Sequence, residues 1–196
     1  YMEEYFGNPS SMYQLGLDSE KAVKHARKQV EEAMGAGNGT LIFTSGGTEA
    51  DNTAIFGAAR ALRRRGNRII TSAVEHPAVL ECCKRLEQDG YDVVYVGVDD
   101  KCRLDLERLE DAIDENTILV SLMQVNNEAG TIMPVDAVKD LMKKKNAPGW
   151  FHCDSVQSFG KLQVPESADL ISVSSHKIHG PKGAGALFVR KGIHLP

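Results

Sequence analysis

Four short segments carry side chains that could do chemistry together, and each follows an apolar, β-branched run. The first is Thr44-Ser45-Gly46-Gly47-Thr48-Glu49, a glycine-rich turn that opens a helical stretch. Amides and a hydroxyl at a helix start make a cup for phosphate. The same residues also fit a plain tight turn capped by Thr48, since glycine turns are common. The segment is neither GxGxxG nor a P-loop, because no Lys-Ser/Thr pair follows. The second is Glu75-His76-Pro77. A histidine before a helix-opening proline fits a capping residue. It equally fits an imidazole at a sheet edge, able to stack on an aromatic ring or move a proton.

The third segment ends the run Phe151-His152-Cys153 with Asp154 and places Gln157 three residues on. A carboxylate closing a buried strand is costly without a positive partner. A protonated pyridine nitrogen is such a partner, and capping a following helix is the other use. The fourth is Ser174-Ser175-His176-Lys177-Ile178-His179-Gly180-Pro181-Lys182-Gly183. Lys177 follows a strand and precedes a rigid turn, where a desolvated amine could form a Schiff base. Lys182 is the alternative, but its glycine and proline neighbours place it on an exposed turn, so Lys177 is preferred.

The elements that must position these groups alternate. A helix starting near Asp18 or Ser19 puts Ala22, Val23, Ala26, Val30 and Ala33 on one face and stops at Gly35. Strands are expected at 41–44, 68–71, 93–96, 117–122, 150–153, 170–173 and 184–189. Helices are expected over 48–65, from Pro77, over 105–113 with Leu106, Leu109 and Ile113 inward, and after Pro134. Arg63-Arg64-Arg65 closes one of them, where it complements the helix dipole. Alternation of this kind predicts a three-layer α/β/α fold with a mostly parallel sheet. Ligands in such sheets sit beyond the carboxyl ends of the strands, which is where all four segments fall.

Bulk properties narrow the field. Hydrophobic residues at 42% and charged residues at 26% are ordinary for a globular protein. A net charge of −4 without a basic stripe gives no reason to expect nucleic acid, and no apolar run is long enough to span a membrane. Tyr1-Met2-Glu3-Glu4-Tyr5 lacks the basic and apolar regions of a signal peptide. It reads instead as the middle of an acidic helix without an initiator methionine, which suggests a fragment. Cys82, Cys83, Cys102 and Cys153 form no CxxC, so reduced thiols and a cytoplasmic setting are expected.

Beyond these segments stand Phe6-Gly7-Asn8-Pro9-Ser10-Ser11 and Val125-Asn126-Asn127-Glu128-Ala129-Gly130-Thr131. Two of the four segments extend further, as Phe43-Thr44-Ser45-Gly46-Gly47-Thr48-Glu49-Ala50-Asp51-Asn52 and Glu75-His76-Pro77-Ala78-Val79-Leu80. A third runs Asp154-Ser155-Val156-Gln157-Ser158-Phe159-Gly160-Lys161. Together with 174–183 they resemble the NifS-like cysteine desulfurases, in that family's order and similar spacing over essentially the whole chain. The resemblance implies the large domain of aspartate-aminotransferase-like enzymes that use pyridoxal 5'-phosphate (PLP). Lys177 would then hold PLP in a Schiff base, and Asp154 would pair with the pyridine nitrogen. Asn127 and Gln157 would bond the phenolate oxygen, and His76 would stack on the ring and assist proton transfer. Gly47, Thr48, Ser174 and His176 would hold the phosphate.

The implied reaction removes sulfur from L-cysteine, giving alanine and an enzyme persulfide for iron–sulfur or thio-cofactor synthesis. The implied enzyme is a homodimer that passes sulfur to an acceptor or scaffold protein. In that family the persulfide cysteine, the substrate-clamping arginine and a small domain lie far downstream of the lysine, and a strand precedes the motifs. Residues 1–196 are therefore expected to be one PLP-binding domain, incomplete at both ends and inactive alone. Tyr13 stands where many relatives carry histidine. Competing expectations are an aminotransferase or selenocysteine lyase of the same fold, or a non-catalytic dimerisation fragment. A nicotinamide-binding domain is disfavoured by the missing GxGxxG and the missing acid after the second strand.

Overall fold

A computed structural model describes residues 6–196; Tyr1-Met2-Glu3-Glu4-Tyr5, read above as part of an acidic helix, lies outside them. The chain divides into two compact units, Tyr1–Gly35 and Ala36–Pro196.

The first unit is dominated by α1 (Gln14–Met34). It begins before the expected Asp18, which lies inside the helix and accepts from Gln14 Nε2 at 2.9 Å. Gly35 ends it as expected, in the left-handed conformation at φ 62°. The predicted apolar stripe is not buried within this unit: Ala22, Ala26 and Val30 are half-buried, while Val23 and Ala33 are exposed. One helix and its leading segment have no core in which to bury such a stripe.

The second unit is a seven-stranded sheet in the order β1-β7-β6-β5-β4-β2-β3. The strands are β1 (Gly39–Thr44), β2 (Arg68–Ser72), β3 (Asp92–Val96), β4 (Thr117–Met123), β5 (Trp150–Asp154), β6 (Leu170–Ser174) and β7 (Gly185–Arg190). The pairs β2·β3, β2·β4, β4·β5 and β5·β6 are parallel. β7 runs antiparallel to both β1 and β6. The expected mostly parallel α/β architecture is thus present, with one reversed strand that a run of apolar residues does not betray.

Helices α2 (Gly47–Leu62), α3 (Pro77–Gln88), α4 (Leu106–Ala112) and α5 (Val138–Lys144) fill the connections. The helix expected after Pro134 is split, opening as a 3-10 turn over Val135–Ala137. On α2, Ala50, Ala54, Ala58 and Ala59 are fully buried with Ile55, and such small side chains let the helix lie close to the sheet. β4 is buried at every position, as a central strand covered on both faces must be. Each fully buried Ile or Leu there adds about 1.5–3 kcal/mol. Leu109 and Ile113 point inward as expected, whereas Leu106 is only half-buried. Arg63-Arg64-Arg65 forms an exposed turn just past α2, beside its carbonyl end.

Candidate active site

The carboxyl ends of β1, β2, β4, β5 and β6 share one edge, and a pocket of about 140 Å³ opens there. Its walls include Gly47, Thr48, His76, Asn127, Asp154, Gln157, Ser174, His176 and Lys177, so the chemically suggestive residues of the sequence meet in one cavity. Asp51, Met123, Val125 and Val156 complete it.

The phosphate-cup segment folds as a tight strand-to-helix turn, but Thr48 is not its cap. Gly46 takes that position, and Thr48 lies inside the first turn of α2. The Ser45 amide donates instead to Glu49 at 2.6 Å, and hydrogen bonds from the Ser45 hydroxyl and then this amide hold the Glu49 carboxyl below its usual range. The first bond of the helix runs from the Ala50 amide to the Gly46 carbonyl, so the amides before it have no partner within the helix. Gly47 is required by contact: a Cβ would stand 2.7 Å from a Val156 methyl.

His76 caps a helix and also faces the pocket. It is the N-cap of α3, its Nδ1 accepting the Ala78 amide at 3.1 Å, and its ring also lines the pocket. Because Nδ1 is the acceptor, the neutral ring carries its proton on Nε2. Glu75 fixes the approach to this ring. Its Oε1 accepts from the Ser72 hydroxyl at 2.6 Å and the Met123 amide at 3.1 Å, tying the loop to β4. Complete burial pushes its carboxyl up to about 8.

Asn126 builds the turn that presents Asn127. Its Oδ1 accepts from the Glu128 and Ala129 amides, while its Nδ2 donates to the Val74 carbonyl at 3.0 Å. Gln157 is presented by a turn rather than by the helix that Asp154 was open to capping. Gln124 holds that turn, accepting from the Ser155 and Ser158 hydroxyls and donating to the Gln163 carbonyl. Asp154 still acts locally as a cap, its Oδ1 accepting the Val156 amide at 2.9 Å.

Lys177 sits in the 3-10 turn Ser175–Ile178 after β6 and is half-buried, less dry than its sequence context suggested. The Ser174 hydroxyl and His176 Nδ1 lie 2.8 Å apart at its start. Gly180 closes the turn, donating to the Ser175 carbonyl at 3.0 Å. A Cβ here would stand 2.1 Å from the Ser175 hydroxyl and would force that side chain to turn away. Lys182 is exposed, as expected. The four cysteines are free, and Cys153 is wholly buried, its thiol pushed up by burial.

The pocket buries acids that its own basic groups offset only in part. Burial raises the Asp154 carboxyl, against the Val156 amide and the nearby His76 and Lys177, which lower it. Asp51 is raised further by its own burial and by the charge of Asp154, and its Oδ1 has no hydrogen-bond partner. Sequence reading gave Asp51, Glu75 and His152 no role. The available signals were spacing: Asp51 lies one helical turn beyond Thr48, and His152 shares a strand face with Asp154.

Helix-start amides and hydroxyls, buried acids and an amine lining one pocket suit a flat ring bearing phosphate and a protonated nitrogen. Together with the sheet they make an α/β domain whose pocket lies at the carboxyl ends of its strands. The chain belongs to the aminotransferase class-V family, whose model matches residues 1–194. It is 45% identical over 198 residues to cysteine desulfurase IscS of Methanosarcina thermophila, covering 100% of this chain and 48% of that protein. A solved NifS-like protein superposes with a TM-score of 0.93 at 40% identity, over 99% of this chain and 54% of that one. The structure of SspA in complex with cysteine matches with a TM-score of 0.90 at 34% identity, over 99% and 57%. The chain spans about half the length of the curated relatives it matches. Among the described residues no helix is long and apolar enough to cross a membrane.

Proposed function

We propose that this chain is the PLP-binding part of a cysteine desulfurase. The observation that carries the reading is the single pocket in which Lys177, Asp154, His76 and the cup of Gly47, Thr48, Ser174 and His176 converge. The buried, cation-seeking Asp154 and the orphaned Asp51 oxygen fit a protonated pyridine ring. Bound PLP supplies an electron-withdrawing ring, which makes the bonds at an amino acid's α-carbon breakable.

The protein's own groups do the rest. The cup binds phosphate through helix-start amides and hydroxyls. Asp154 would hold the proton of the ring nitrogen, and Asn127 with Gln157 would orient the ring through its phenolate oxygen. His76, whose neutral ring carries its proton on Nε2, would cover one face. Lys177 Nζ would anchor the cofactor and serve as the base for the substrate's α-proton. L-cysteine is the proposed substrate, supported by the desulfurase names of the relatives and the cysteine complex of one structural neighbour. A homodimer, a sulfur-acceptor partner, a role in iron–sulfur or thio-cofactor synthesis and a cytoplasmic location belong to the same reading.

The test is spectroscopic and then chemical. Incubation with PLP should give a near-visible absorbance band that Lys177→Ala abolishes, and the complete enzyme should release sulfide and alanine from L-cysteine. A wild-type protein that gives no such band with PLP would sink the proposal.

A further inference from the structure

A buried polar chain runs behind the pocket that none of the assignments above uses. His152 on β5 is wholly buried, and both ring nitrogens meet serine hydroxyls at 2.8 Å: Nδ1 meets Ser121 on β4 and Nε2 meets Ser172 on β6. Burial drives its proton affinity down to about 3, so the ring is neutral and donates through only one nitrogen. Asp51 decides which one. Its Oδ1 stands 3.6 Å from Nε2, and the Ser172 hydroxyl stabilises its charge. With the N–H on Nε2, Ser121 donates to Nδ1, Nε2 donates to Ser172, and Ser172 is free to donate to Asp51. Every proton then points towards the pocket, and no donor is wasted. The opposite tautomer would turn a lone pair of Nε2 towards the Asp51 oxygen that has no hydrogen-bond partner.

Asp51 ends this chain at 2% exposure, lines the pocket, and keeps an oxygen that bonds nothing. The groups that face it are Asp154, Glu75 and neutral His152, with Cys82 beside it. No cation is among them, so among these groups only the Ser172 hydroxyl offsets the burial of this acid. We infer that Asp51 is a positioning residue: oriented by the Ser121–His152–Ser172 chain, it ionises only against the positively charged ring nitrogen of the bound cofactor, adds a second negative charge beside Asp154 and so keeps that nitrogen protonated. The inference rests on the PLP reading of the pocket and goes beyond it, because it assigns the ring's proton to two acids rather than one.

The decisive variant is Asp51→Asn in the complete enzyme, read in three ways. The apoprotein should unfold at the same or a higher temperature than wild type, since an uncompensated buried acid is gone. The Kd for PLP should rise about tenfold, and the ring-nitrogen resonance of 15N-labelled PLP should titrate about one unit lower in pH. Ser172→Ala, which cuts the chain and leaves the acid, should shift the same resonance by less. An Asp51→Asn apoprotein less stable than wild type would assign the residue to the fold alone and overturn the inference. So would an unchanged Kd with an unchanged nitrogen titration. A wild-type enzyme that takes up no PLP would instead remove the reading of the pocket itself.

Discussion

The two edges of the sheet treat charge in opposite ways. At the amino edge charges are matched. Arg68 at the start of β2 bonds Asp92 and Asp114, each at 2.7 Å. Lys139 meets Asp169 just ahead of β6 at 2.6 Å, and the same Asp169 oxygen accepts the Phe151 amide at 2.8 Å. Arg190 reaches this edge because β7 is reversed, and its guanidinium there takes the Ala168 and Glu166 carbonyls. At the carboxyl edge Asp51, Glu75 and Asp154 are buried together, and oxygens of Asp51 and Glu75 lack partners. Matched charge ties elements together at one edge. Unmatched buried acids at the other lower stability and leave interactions open to a ligand.

The largest test of this contrast is to break a matched pair. Asp169→Ala strands the Lys139 ammonium and the Phe151 amide in a half-buried site. We expect a loss of about 3 kcal/mol, measured by urea unfolding, with PLP binding retained in the protein that remains folded. A loss near zero would mean that the amino edge holds nothing together.

The carboxyl edge should respond to pH in the direction that unmatched acids dictate. Glu75 has an ordinary value of 4.5 and is pushed up to about 8 by burial. The folded state therefore keeps a proton that the unfolded chain releases. Stability from this group is complete below pH 4.5 and is lost as pH rises through about 8. Glu75→Gln removes this titration, and the decline across the window should shrink by roughly 2 kcal/mol. It should not vanish, because burial raises Asp51 and Asp154 in the same direction. Stability that rises with pH in this window would contradict the account of the pocket acids.

The contrast also explains which parts could be read from the chain in advance. β4 was legible because Thr117-Ile118-Leu119-Val120-Ser121-Leu122-Met123 is apolar enough to be buried on both faces. His76 was legible because Pro77 marks a helix start, and Asp154 because an acid closing a buried strand is conspicuous. The reversal of β7 was not, since an apolar run carries no direction. Nor was the true start of α1, where Asp18 and Ser19 imitate a cap inside the helix. Asp51 was hidden for a deeper reason. A polar residue in a helix is unremarkable until the fold sets it against His152, about a hundred residues away in sequence.

The smallest test separates the two edges most cleanly. Arg68 is only partly buried, but its fork serves three acceptors: Asp92, Asp114 and the Ala112 carbonyl. Lysine preserves the charge and loses the planar fork, so it can satisfy one acid well and the others poorly. Arg68→Lys should therefore cost about 1 kcal/mol in unfolding experiments, a small loss because water already screens these acids. If the edges are independent, PLP affinity and the pH dependence set by Glu75 should match wild type. A shifted affinity with so small a loss of stability would show that β2 transmits strain from Arg68 to the loop carrying Glu75 and His76.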